Sequence, residues 1–107
     1  MGRRIALATR DGAPFSAWHA PAREARRGGV VMLHAIWGVT PHIRELSGRL
    51  AEQGYEVVAP SLMDAADADF PVADTEPAIL DARMEMGRLT GWGVSTLPRV
   101  QAAIDAL

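Results

Sequence analysis

The sequence predicts an α/β domain, with a β-hairpin followed by a parallel βαβ unit. Three observations predict it. The run Gly29-Val30-Val31-Met32-Leu33-His34 is apolar on both faces, as a strand covered on two sides must be. A second run of that kind is Tyr55-Glu56-Val57-Val58-Ala59, stopped by Pro60. Between them lies a segment of helical period.

The elements follow in order. Arg4 to Thr9 alternates, with Ile5 and Leu7 on one face, and Asp11-Gly12 is a turn signal. Phe15 to Ala20 is a second extended run ended by Pro21, so the two read as a hairpin or a pair of edge strands. Pro21 to Gly29 is polar and arginine-rich, a surface loop. After the first buried strand, Thr40 suits an N-cap and Pro41 the first helical position. Ile43, Leu46, Leu50 and Ala51 share one side, and Gly54 stands where a helix C-terminal glycine belongs. Strand, helix and strand in this span make a βαβ unit with an expected right-handed crossover.

Beyond it, Ser61 to Pro77 holds Asp64, Asp67, Asp69, Asp74 and Glu76 among alanines and reads as an acidic loop. Ala78 to Leu89 can form a helix, Thr90 to Thr96 carries small turn residues, and Pro98 to Leu107 reads as a helix. Its apolar face would be Val100, Ala103, Ile104 and Leu107. No repeat or linker divides residues 1–107, so one domain is expected. A parallel sheet receives each helix with a further strand, so another buried strand is expected after Leu107.

Composition narrows the function. The chain has 107 residues, a formal net charge of −2 and 49% hydrophobic residues. Nucleic-acid binding has no electrostatic basis in such a chain, while a packed core does. Cysteine is absent, which excludes disulfides, thiolate metal sites and a cysteine nucleophile within these residues. No apolar run reaches the roughly 20 residues of a membrane span, and the first residues lack a signal-peptide core. No nucleic acid, no membrane and a cytoplasmic location are therefore expected.

The loop His34-Ala35-Ile36-Trp37-Gly38-Val39 holds the best candidates for chemistry. Ligands of open parallel sheets bind beyond the carboxyl ends of strands. Backbone N–H groups there can face a developing oxyanion, where one donor is worth about 3–4 kcal/mol of barrier. On spacing alone a plain strand-to-helix connection with Trp37 packed over it remains open. His34 and His42 match no zinc spacing, and His34 reads as a hydrogen-bonded structural residue. His19 and His42 read as surface residues. Ser95, in Gly93-Val94-Ser95-Thr96-Leu97, lacks the second glycine and the preceding strand of a nucleophile elbow. The acidic loop lacks the register of a calcium loop, and neither strand is followed by a dinucleotide fingerprint. No metal and no cofactor are expected.

The run from Val30 through His34-Ala35-Ile36-Trp37-Gly38-Val39-Thr40-Pro41-His42 to Glu45 resembles the dienelactone hydrolase family. So does Leu50-Ala51-Glu52-Gln53-Gly54 through Ala59-Pro60-Ser61-Leu62, with weaker support from Val100 to Leu107. The resemblance implies the N-terminal half of an α/β-hydrolase fold, cut before the nucleophile strand, with the strand at 29–34 beside that missing neighbour. It implies hydrolysis of ester or lactone bonds in a completed domain by a Cys or Ser nucleophile with Asp and His. The backbone N–H of Ile36 would be an oxyanion donor, and Trp37 and Ala35 would border a small-molecule substrate. Ala35 stands where classical members carry a glutamate, and Ser61 where many carry Asp, which points to a variant subfamily. The family's triad falls beyond Leu107, so this chain alone is expected to be inactive. The alternative is a non-catalytic half-domain, an interaction or oligomerisation module that self-associates through the exposed edge of strand 29–34.

Overall fold

A computed structural model describes residues 2–34, 38–62 and 92–107, with side chains from residue 96 onward in the last stretch. The described elements are β1 (Arg3–Ala8), β2 (Pro14–Ala20), β3 (Gly28–Val31), α1 (Pro41–Glu52), β4 (Tyr55–Pro60) and α2 (Trp92–Ala106). They build one four-stranded mixed sheet in the order β1-β2-β4-β3. β1 and β2 are antiparallel, β2 and β4 are antiparallel, and β3 and β4 are parallel.

The hairpin closes through Thr9, whose N–H donates to the Ala13 carbonyl while its carbonyl accepts from Gly12 N–H, each at 2.9 Å. Gly12 sits at φ 94°, a conformation glycine adopts without steric cost. Thr9 Oγ1 also donates to Asp11 and accepts from Ala13 N–H, so the turn chemistry is local.

Alternation along the strands sends side chains to two faces. Ile5, Leu7, Ala17, Val31 and Val58 pack with Ala103 of α2 and with Leu107 just after it. Ala20, Val30 and Val57 pack with Leu50 and Ala51 of α1, while Trp18 and Ala59 pack with Ile43 and the buried Val39. Among the described residues the sheet therefore carries one helix on each face. Val57 and Val58 are both buried at adjacent positions of β4, which is the physical content of the run being apolar on both sides.

The helix α1 starts and stops where its capping residues place it. Thr40 Oγ1 accepts from Ile43 N–H, and Pro41 opens the helix. Gly54, at φ 97°, donates to the Ala51 carbonyl. The loop before β3 completes this end, with Arg23 N–H on the Ala51 carbonyl and Arg27 N–H on the Gly54 carbonyl. A Cβ at Gly54 would meet the Arg27 side chain at 2.9 Å and the Ala25 carbonyl at 3.2 Å. Gly54→Ala is expected to cost about 1–2 kcal/mol, from left-handed strain and this crowding. Urea midpoints of the two proteins check it, and an unchanged midpoint would contradict the account.

Four expectations are corrected. The strand expected at 29–34 is the shorter β3, although Met32 N–H still reaches the Val58 carbonyl at 2.9 Å. At the end of the described sheet, it is half-buried rather than buried, because an edge strand lacks a neighbour on one side, and Leu33 just beyond it is 56% exposed. The last helix begins at Trp92 rather than Pro98, so residues 92–96 of the expected turn are helical. Pro98 is tolerated because its fixed φ is helical, at the loss of one backbone bond. The buried stripe of α2 is Arg99, Ala102 and Ala103, while Ile104 is exposed. Small alanines let the helix sit close to the sheet, and that rotation turns Ile104 outward. The acidic stretch from residue 63 and the helix expected at 78–89 lie outside the described residues.

Candidate functional site at the carboxyl edge of the sheet

β3 and β4 run parallel, so their carboxyl ends open on the same edge. Leu33 and His34 follow β3, and Ser61 and Leu62 follow β4. Gly38, at φ 83°, and the fully buried Val39 lead into the cap of α1. Arg99 reaches this edge from α2 across the sheet. Ala35, Ile36 and Trp37, the residues singled out in the sequence, lie outside the described residues. What the structure defines is the frame that holds the two ends of their loop.

That frame is polar and satisfied. Leu62 N–H donates to His34 Nε2 at 2.9 Å, joining the ends of β3 and β4. A ring nitrogen that accepts is unprotonated, so this bond favours the neutral ring with its proton on Nδ1. Arg99, only 6% exposed, donates from Nη1 to the Ser61 carbonyl at 2.7 Å. Its guanidinium also lies 5.4 Å from the centre of the Phe15 ring, a cation–π arrangement. Ser61 N–H donates to the Ser16 carbonyl at 2.8 Å. Ser61 itself is buried and approaches no histidine among the described contacts.

The remaining candidates separate from this edge. His42 is exposed in the first turn of α1. The backbone of Ser95 is in the first turn of α2, with no strand-to-helix elbow. His19, expected at the surface, is instead paired through Nε2 with Glu56, and both side chains are largely buried at the amino end of β4. An open depression of about 420 Å³ lined by Gly2, Arg3, His19 and Pro21 is at that opposite end. No cluster of His, Cys, Asp or Glu suited to a metal occurs among the described residues.

Glu56 ties three segments together. Its Oε1 accepts from Ala22 N–H at 2.8 Å, and this bond, followed by the one to His19 and the field of Arg26, holds its carboxyl below the ordinary 4.5. A carboxylate whose pKa falls on folding stabilises above its unfolded value, and that contribution disappears as pH falls through the folded value. Glu56→Gln is expected to flatten the loss of stability on the acid side of pH 4.5. Urea unfolding between about pH 3 and pH 6 measures this, and equal slopes for the two proteins would rule it out.

Arg99 and the His19–Glu56 pair were not legible as site residues. Arg99 does carry one signal: it stands three and four residues before Ala102 and Ala103, on the stripe that faces the sheet.

The dienelactone hydrolase family model matches residues 15–106, which takes in β2, β3, α1, β4 and all but the start and end of the chain. The chain belongs to the dienelactone hydrolase family. A curated protein of Saccharolobus solfataricus named "Putative carboxymethylenebutenolidase" is 38% identical over 52 residues, or 49% of this chain and 20% of that protein. A crystal structure of a dienelactone hydrolase-like promiscuous phosphotriesterase from metagenomic libraries superposes with a TM-score of 0.69 at 26% identity. It is covered over 42% of its length by 99% of this chain. The chain named m3DLH shares the fold, with a TM-score of 0.68 at 23% identity over 97% of this chain and 42% of its own. This dienelactone hydrolase family chain thus spans less than half the length of the relatives it matches. Its mixed sheet and parallel βαβ unit are those of the family's α/β-hydrolase fold.

Proposed function

We propose that these residues supply the oxyanion-hole side of a hydrolase acting on ester or lactone bonds. The family match across residues 15–106 carries the reading, because it runs through the loop between β3 and α1. In that reading the Ile36 N–H stabilises the tetrahedral oxyanion, and Trp37 and Ala35 border a small-molecule ester or lactone. The nucleophile, acid and histidine of the triad come from residues outside this chain. The frame at His34, Ser61 and Leu62 supports it by holding the loop's root with backbone and side-chain bonds rather than by loose packing.

The test begins with the coding sequence after Leu107. It should encode a strand followed by G-x-C-x-G or G-x-S-x-G. In the longer protein, Ile36→Pro removes the donor and should lower kcat for an aryl ester by about 10²–10³-fold. A folded variant with unchanged kcat would reject the oxyanion role.

A second reading is a non-catalytic half-domain that associates with a second copy through the strand at 29–34. Its support is the place of β3 at the end of the described sheet, with Leu33 56% exposed. Unpaired strand edges of this kind template pairing. Sedimentation of the chain should then show a cooperatively unfolding dimer that Leu33→Lys converts to monomer. A monomer at every concentration would remove this reading.

A further inference from the structure

The Ser61 carbonyl and the Leu62 N–H belong to one peptide group. In a trans peptide they point in opposite directions, and no cis bond occurs among the described residues. Arg99 Nη1 holds the oxygen at 2.7 Å, and His34 Nε2 holds the N–H at 2.9 Å. A permanent cation on one side of the sheet edge is therefore connected to an imidazole on the other through a single amide.

The geometry points to Arg99 as a positioning residue that sets the protonation pattern of His34 through the Ser61–Leu62 peptide. The cation draws electron density toward the carbonyl oxygen, which leaves the amide N–H a stronger donor, since linked hydrogen bonds polarise one another. The guanidinium is 6% exposed, so water screens this little. A stronger donor at Nε2 favours the neutral ring with its proton on Nδ1. That choice makes Nδ1 a hydrogen-bond donor at the root of the loop carrying Ala35, Ile36 and Trp37. The Ser61 N–H on Ser16 and the Phe15 ring beside Arg99 keep the relay from swinging. The relevance to catalysis rests on the hydrolase reading above; the relay itself does not.

Long-range proton–nitrogen spectra of the imidazole separate protonated from unprotonated ring nitrogens. In the unsubstituted chain His34 should show an unprotonated Nε2, with a nitrogen–nitrogen coupling to the Leu62 amide across the hydrogen bond. Arg99→Met keeps the bulk and removes the charge. It should make the ring populate both tautomers and speed Leu62 amide exchange by roughly tenfold or more, while Ile5 and Leu7 amides in the hairpin stay protected. A merely structural Arg99 would leave the His34 tautomer unmoved, and that result overturns the proposal. If Arg99→Met does not fold, Arg99→Gln decides: a neutral donor should weaken the coupling, and an unchanged coupling overturns it. Absence of the coupling in the unsubstituted chain also overturns it. None of these readouts needs ester turnover, so a failed hydrolase assay and a failed relay are separate results.

Discussion

The 107-residue chain, purified alone, is expected to release product from a simple aryl ester with no saturable turnover. Complete enzymes exceed the uncatalysed rate by about 10⁶-fold or more, so the difference is large and easily read. The expectation rests on chemistry within the chain. Cysteine is absent. Ser47 is buried and donates to the Ile43 carbonyl at 2.8 Å, and Ser61 is buried between Ser16 and Arg99. Ser95 is in the first turn of a helix. A hydroxyl becomes a nucleophile when an adjacent base takes its proton, yet at the carboxyl edge His34 Nε2 is already occupied by Leu62 N–H. Even a complete oxyanion hole with substrate binding but no triad leaves only about 10³–10⁴-fold over water, well short of a complete enzyme. Saturable hydrolysis abolished by Ser95→Ala would overturn this account and the triad assignment together.

The second large effect is on stability. Val57→Asp is expected to prevent folding. Val57 is fully buried on β4, against Ala20 and Ala51 on the α1 face. A carboxylate there finds no basic partner among these neighbours, and an unpaired buried charge costs several kcal/mol. Domains of this size are stable by only about 5–15 kcal/mol. Circular dichroism and amide dispersion should both report a collapsed or aggregated chain, whereas Glu52→Asp, at an exposed position of α1, should leave them unchanged. A cooperatively unfolding Val57→Asp protein would show that the interior of the sheet is looser than its burial implies.

These results separate what the sequence makes legible from what it hides. The hairpin, the βαβ unit and both ends of α1 were readable because each is written locally, in alternation, in Thr40-Pro41 and in Gly54. The family was readable from the run through β3, α1 and β4. The start of α2 was not, because Gly93 and Pro98 oppose a helix locally and packing of Ala103 on Ala17 and Val58 overrides them. Nor was the buried face of that helix, since Arg99 is polar by type and interior by contact. The Ile36 N–H proposed as an oxyanion donor was suggested only by the family run, because a backbone N–H leaves no mark in residue type.

The strand order has a consequence for how the chain assembles. β4 lies between β2 and β3, so the two earlier strands have no partner in each other. During synthesis the hairpin can close as soon as its turn emerges. The rest of the sheet must wait until residue 60 is available to fill the gap. Joining β2 to β4 also closes a long loop, with Ala20 paired to Val57, and such closure slows folding relative to local pairing. The folding barrier should therefore fall at insertion of β4, and substitutions on β4 should slow refolding more than those on β1.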